Sequence, residues 1–108
     1  MTILEHPLAQ TVIEGNNLLL TCSGKGYPSI GITWFKDDKV VTNNVYRLDF
    51  SGDSTLNISS VSRNDAGSYI CLFSTSAGNL NSSVAQVIVL CKLIYHIIIA
   101  CKILLQLL

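Results

Sequence analysis

The stretch Asp65-Ala66-Gly67-Ser68-Tyr69-Ile70-Cys71 decides how the rest of this chain is interpreted. Residues 62–67 are polar and predict a corner of the chain. The residues that follow form a run in which apolar side chains occupy both faces of a strand. One face carries Tyr69, Cys71 and Phe73, and the opposite face carries Ile70 and Leu72. This period of two predicts a strand whose first face points into a core.

Alternating segments of similar length lie on both sides of this stretch. They are predicted as strands at residues 18–22, 30–36, 40–41, 46–50, 56–58 and 84–90. Residues 1–10 are predicted as a first strand, and residues 51–54 as a turn. Seven or eight short strands separated by turn residues, with no helical period of comparable length, predict an all-β sandwich or barrel.

Length and charge narrow the class of protein. The chain has 108 residues, which is enough for one sandwich of about 100 residues and too few for a second folded unit. Its seven basic and seven acidic residues give no net charge and are scattered along the chain, which disfavours nucleic acid and anionic lipid as partners.

The residues that catalysis or metal binding would need are dispersed. His6 and His96 lie near opposite ends of the chain, and neither has a nucleophile motif beside it. The four cysteines contain no Cys-x2-4-Cys pair. We therefore predict no enzymatic activity, no metal site and no cofactor.

The motifs together resemble an immunoglobulin domain of the intermediate type (I-set) over residues 1–90. The signature consists of Cys22, Trp34 twelve residues later, Leu56-x-Ile58, and Asp65-x-Gly67-x-Tyr69-x-Cys71. Tyr69 lies two residues before the second cysteine, as the tyrosine corner of this fold requires. The resemblance implies a two-sheet Greek-key sandwich.

The resemblance also assigns roles to the signature residues. It implies a disulfide between Cys22 and Cys71, with Trp34 packed against it, and an ion pair between Arg47 and Asp65 at the end of the sandwich. Bridging a loop of about fifty residues stabilises a fold by roughly 4 kcal/mol in the chain-entropy model. The alternative is a pair of reduced, buried thiols, as in some intracellular members of the family.

The function that this resemblance implies is non-catalytic recognition. We expect an extracellular adhesion or receptor module, a fragment of a larger cell-surface or matrix protein, whose partners are protein ligands or neighbouring immunoglobulin domains. The alternative is an intracellular spacer domain of a muscle-type or cytoskeletal protein. The redox state of the cysteines discriminates between the two.

Two kinds of surface site are predicted. Asn57-Ile58-Ser59 and Asn81-Ser82-Ser83 are acceptor motifs for N-linked glycosylation. A binding surface is expected where apolar side chains alternate out of the core, with a second candidate in the loop at residues 25–29; its residues are Phe35, Ile70, Leu72 and, in the loop, Tyr27. The alternative is that Val40, Val41 and the edge strands cover these side chains.

The C-terminal segment, residues 91–108, differs in composition and is expected to form a separate, helical tail. Its stretch from Leu93 to Leu108 would span about 24 Å as a helix, short of the roughly 30 Å hydrocarbon core, and it contains Lys102. A truncated membrane helix, a non-native extension, and an anchor signal or core helix remain as hypotheses. Cys91 and Cys101 are expected to be unpaired thiols or palmitoylation sites.

Overall fold

The computed structural model describes residues 1–26, 30–43, 45–48 and 52–91, and for residues 45–48 it describes the backbone. These residues form ten strands and one short 3-10 helix. The strands are β1 Thr2–Glu5, β2 Gln10–Ile13, β3 Leu18–Lys25, β4 Gly31–Lys36, β5 Lys39–Val41, β6 Val45–Leu48, β7 Asp53–Ile58, β8 Gly67–Thr75, β9 Gly78–Asn81 and β10 Ala85–Leu90. The helix, η1, is Arg63–Asp65.

The strands form two sheets that pack face to face. The four-stranded sheet has the order β1-β3-β7-β6, and the six-stranded sheet has the order β2-β10-β8-β4-β5, with β9 also paired to β8. Every recorded pairing is antiparallel except that of β2 with β10. The predicted all-β, two-sheet architecture is therefore confirmed, while the expected helical tail lies outside the described residues.

The first ten residues do not form a single strand, so that prediction is wrong. β1 pairs with β3 in the four-stranded sheet, whereas β2 pairs with β10 in the other sheet. Buried Pro7 lies between them. Because proline has no backbone N–H and a fixed φ, it interrupts the strand and lets the chain cross from one sheet to the other.

The turn predicted at residues 51–54 is wrong in its second half. Asp53 and Ser54 already belong to β7, and the Ser54 side chain is buried. Gly52, directly before β7, occupies a position that suits only glycine, because its φ is +73° and a Cβ there would collide with the carbonyl oxygen of Gly24. The Gly24 N–H in turn donates to the Gly52 carbonyl oxygen at 3.0 Å.

A β-bulge separates β9 from β10, which both pair with β8. Leu72 pairs with Asn81, but Tyr69, three residues earlier, pairs with Ala85, four residues later, so one extra residue is inserted. Ser82 fills the gap: its Oγ accepts a hydrogen bond from the Cys71 N–H at 2.9 Å, and its own N–H donates to the Cys71 carbonyl oxygen at 2.8 Å. The bulge therefore costs Cys71 none of its backbone hydrogen bonds.

The core fills the space between the sheets. Fully buried large side chains come from both of them, namely Leu18, Leu20, Leu56, Trp34, Tyr69, Phe73 and Val87, and Val61 joins them from the segment between β7 and η1. Cys22 and Cys71 lie among these side chains and are disulfide-bonded, with Cα atoms 6.6 Å apart, as the resemblance implies. This bridge links β3 of one sheet to β8 of the other.

Candidate functional site

The signature residues build a rigid frame around the disulfide. Trp34 is completely buried and lies directly opposite Cys71 in the pairing of β4 with β8. Its indole N–H finds a partner in the opposite sheet, the hydroxyl of Ser54. Sequence reasoning did not find Ser54, although it continues the period-two series to Leu56 and Ile58. These contacts fix β4 and β8, the strands that carry the candidate surface.

The tyrosine corner ties the beginning of β8 to η1. The Tyr69 hydroxyl donates to the Asp65 carbonyl oxygen at 2.6 Å. Burial raises the pKa of Tyr69 to about 12, and the negative charges of Asp65 and Asp37 add to that increase. At Gly67 the φ is +157° and a Cβ would meet the Asp37 carboxylate, so a larger residue there would require this carboxylate to move.

The two aspartates near this corner hold the backbone of neighbouring segments. An Asp65 carboxylate oxygen accepts from the N–H of Ser62 at 2.8 Å, and an Asp37 carboxylate oxygen accepts from the N–H of Ser68 at 2.9 Å. The predicted partner of Asp65, Arg47, lies in β6, where the side chains fall outside the described part of the structure. The ion pair therefore stays a prediction.

The outer face of the six-stranded sheet carries a line of apolar side chains. Phe35 lies opposite Ile70 in one pairing and opposite Val40 in the other. Val84 comes directly before β10 and is exposed, whereas the next residue, Ala85, is buried opposite Tyr69, so we infer that Val84 faces outward on the side of Ile70. We call Val40, Phe35, Ile70 and Val84 the apolar row.

The side chains at the two ends of the apolar row are more exposed to solvent than those in the middle. The two ends are open to solvent, with Val40 58% and Val84 61% exposed, while Phe35 and Ile70 in the middle are half-buried. Leu72 is also half-buried and lies one step along β8, between Thr33 and Asn81. The row is therefore a ridge of accessible apolar surface across the strands.

This outer face carries no charged side chain at the positions that the structure describes. Around the apolar row, the outward positions of β4, β8, β9 and β10 are Gly31, Thr33, Ser68, Leu72, Ser74, Asn79, Asn81, Gln86, Ile88 and Leu90. The hydroxyl of Ser68 and the Gln86 side chain are 2.8 Å apart and hydrogen-bonded across two of these strands. The outward strand positions of this face carry no ionic group, and charged side chains border it only at the Val40 end, where Lys36, Asp37 and Lys39 line a cavity with Val40 among the described residues.

The predicted binding residues have different outcomes. Phe35, Ile70 and Leu72 lie together on this face, whereas Tyr27 lies outside the described residues. Val41 pairs with Trp34 and packs against the core, so it does not cover them. Val40, expected as a cover, is instead an exposed member of the row. Sequence reasoning missed Val84, whose signal was its place two residues before outward-facing Gln86.

Both glycosylation acceptors are exposed. Asn57 lies in β7 opposite Leu19, on the outer face of the four-stranded sheet. Asn81 lies at the end of β9 opposite Leu72. The two acceptors therefore belong to different faces of the sandwich.

The state of Cys91 differs from the one expected from the sequence. Cys91 is buried and disulfide-bonded, so the prediction of an unpaired thiol there is wrong. Cys101 lies outside the described residues.

Across residues 1–26, 30–43, 45–48 and 52–91, no helix is long and apolar enough to cross a membrane. In the same ranges, no three His, Cys, Asp or Glu side chains are grouped so that they could hold a metal ion.

Comparison with known proteins identifies relatives of this sandwich. A family model described as an immunoglobulin domain matches residues 2–74. Roundabout homolog 4 of Mus musculus is 34% identical over 83 residues, which cover 76% of this chain and 8% of the relative. Netrin receptor DCC of Homo sapiens is 32% identical over 80 residues, covering 74% of this chain and 6% of the relative.

Solved structures show the same architecture. An I-band fragment of titin superposes with a TM-score of 0.74 at 27% identity, covering 82% of this chain and 32% of that one. The chain thus spans less than a tenth of the length of the two curated relatives, and about a third of the titin fragment. The likeness concerns one domain of proteins that are much longer.

Proposed function

Because this chain belongs to the immunoglobulin domain family, we propose that it is a non-catalytic protein-recognition domain of a larger extracellular, cell-surface protein. Its partner binds the outer face of the six-stranded sheet, at the apolar row and Leu72. Membrane attachment, if the tail at 91–108 supplies it, would present this domain at the cell surface.

The observation that carries the proposal is that one face combines the apolar row with surrounding outward strand positions that carry no charged side chain. Protein interfaces are depleted of charged residues at their centres, where apolar and aromatic side chains supply the contacts. A central Phe35 flanked by aliphatic side chains is an anchor of this kind. The surrounding Thr, Ser, Asn and Gln side chains would form the polar rim.

The strand inventory supports the intermediate type. Constant-type immunoglobulin domains have seven strands, and variable-type domains add two on the sheet that contains β4 and β8. Here β5 extends that sheet by one strand, and the ten strands count as eight when β1 and β2 are taken as halves of the first strand and β9 and β10 as parts of the last one. A count of eight is intermediate between the two standard types, which supports the intermediate type.

An extracellular location is supported by the Cys22–Cys71 bridge, since disulfides persist in oxidising compartments. The match to a netrin receptor, by its name a receptor, agrees with this location. The likeness to titin favours the second candidate, an intracellular spacer domain. Intact mass before and after alkylation of thiols separates the two, because protein isolated from its natural source would keep the bridge only in the extracellular case.

Binding by the proposed face can be tested with a fluorescent tetramer of the domain, secreted from cultured cells and measured by flow cytometry on a panel of cell lines. We expect saturable staining that Val40→Glu weakens at least tenfold. The matched control is Leu19→Glu, which places the same charge at a similarly exposed position, 54% against 58%, on the opposite sheet. Equal staining by both variants, or no staining by the wild type, would contradict the proposal.

A further inference from the structure

The acceptor motif at residues 57–59 is open to modification. Asn57 lies between inward-facing Leu56, which is fully buried, and Ile58, which packs against the core, so its own side chain points to solvent. Ser59, the hydroxyl residue of the motif, is exposed directly after the strand ends. The motif therefore combines the required sequence with full access to the asparagine amide.

The cross-strand neighbour of Asn57 is an exposed leucine. Leu19 lies directly opposite it in the pairing of β3 with β7 and is 54% exposed. Side chains of such a pair have Cβ atoms roughly 5 Å apart. The next outward pair along the same strands, Thr21 with Thr55, is polar. A sugar on Asn57 would therefore stand over the one large apolar side chain of this β3–β7 surface.

We propose that Asn57 is an N-glycosylation site and that its glycan packs over Leu19 and closes the outer face of the four-stranded sheet to other proteins. The inference rests on the extracellular location in the proposed function. It adds that recognition is one-sided, because one face of the sandwich is covered by carbohydrate and the other carries the apolar row.

The modification is a group transfer from a lipid-diphosphate-linked oligosaccharide. The bond between sugar C1 and the donor's phosphate oxygen breaks, and a bond from C1 to the Asn57 side-chain nitrogen forms. The nitrogen loses one proton, and the lipid diphosphate leaves with the bonding electron pair. No oxidant or reductant takes part.

Asn81 provides a comparison within the same chain. It is exposed as well, but it lies opposite Leu72, at the edge of the uncharged face. The middle residue of its motif, Ser82, is buried in the bulge and bonded to Cys71. A glycan at Asn81 would border the recognition face, whereas a glycan at Asn57 lies on the opposite sheet.

The first experiment measures occupancy. The full chain is directed into the secretory pathway of mammalian cells, and glycans are released by amidase in heavy-oxygen water, which converts each occupied Asn to labelled Asp. We expect label at Asn57 in most molecules and none in Ser59→Ala, which keeps the asparagine. Secreted protein without label at Asn57 would overturn this inference alone, because tetramer staining depends on the other face. Failure to enter the pathway in folded form would overturn both proposals.

The second experiment tests whether the glycan covers the face. Leu19→Cys is labelled with a protein-sized maleimide reagent, with the glycan present and in the Ser59→Ala background. We expect the glycan to slow labelling at least tenfold. The control, Ile88→Cys, replaces a side chain that is 49% exposed on the other sheet and should react at the same rate in both backgrounds. Equal rates at Leu19→Cys would show that the glycan leaves the face open.

Discussion

The indole Nε1 of Trp34 donates a hydrogen bond of 2.8 Å to the Oγ of Ser54, and this buried bond joins the two sheets through the core. Trp34 belongs to β4 of the six-stranded sheet, and Ser54 belongs to β7 of the four-stranded one. A buried indole N–H without an acceptor would carry its full desolvation cost. The serine hydroxyl thus allows a large aromatic ring to occupy the centre of the sandwich.

Replacing Ser54, the acceptor of this bond, should therefore reduce the stability of the fold considerably although only one oxygen atom is removed. We expect Ser54→Ala to lower the free energy of unfolding by about 1–3 kcal/mol, because the indole N–H loses its partner and stays buried. The control is Ser68→Ala, which removes a hydroxyl bonded at a partly exposed position and should cost less than about 0.5 kcal/mol. Equal losses in urea titration would show that the Trp34 bond contributes nothing specific.

The Trp34 ring itself should be the most sensitive position of the core. We expect Trp34→Ala to lower the free energy of unfolding by about 3 kcal/mol or more, since a large cavity would open beside the disulfide. Denaturant titration measures the loss, with Thr33→Ala on the outer face as a neighbouring control. A loss below about 1 kcal/mol would contradict the central position of this ring.

The period-two pattern predicted most of the core because it depends only on which side chains alternate. Leu18, Leu20 and Cys22 are buried as a set, and so are Tyr69, Cys71 and Phe73. Ser54 escaped the pattern because serine beside Gly52 and Asp53 is typical of a turn, and only the tertiary contact with Trp34 makes its burial favourable.

The recognition face was predictable only in part. Phe35 and Ile70 were identified from alternation within their own strands. That they form one row with Val40 and Val84 depends on the register between strands, which single-strand periodicity does not contain. The Ser82 bulge was equally invisible, because the extra residue shows only when β9 and β10 are both aligned with β8.

The disulfide should supply a large share of the stability. The bonded cysteines are 49 residues apart, and the chain-entropy model assigns about 4 kcal/mol to a loop of that length. We expect Cys22→Ala combined with Cys71→Ala to lose about 2–4 kcal/mol by denaturant titration, the range allowing for two alanines in a packed core. Reduction of the wild type should cost at least as much, because it also breaks the disulfide of Cys91. No change in either case would mean that the unbridged chain is already restricted.

Alkaline pH should weaken the fold through Tyr69. Its pKa is about 12 in the folded state and about 10 in the unfolded chain, so folding favours the protonated hydroxyl. The associated stability is complete below pH 10 and is lost progressively as pH rises towards 12. Tyr69→Phe should be less stable at pH 7 because the bond to Asp65 is lost, but its stability should fall less between pH 10 and 12. Parallel slopes would rule Tyr69 out as the cause.

The last prediction concerns the boundary near Leu90. Among the described residues, the last paired strand ends at Leu90, whose carbonyl oxygen accepts from the Glu14 N–H at 2.7 Å. We therefore expect a chain that ends at Leu90 to keep its melting temperature and to become more soluble, because the apolar residues beyond it are removed. Cys91 is buried and disulfide-bonded, so the full-length chain with Cys91→Ser is the control, because it loses this side chain and its bridge but keeps the tail. Calorimetry and sedimentation measure both effects. If the chain ending at Leu90 unfolds while full-length Cys91→Ser stays folded, the tail supplies part of the core and the domain extends beyond residue 90.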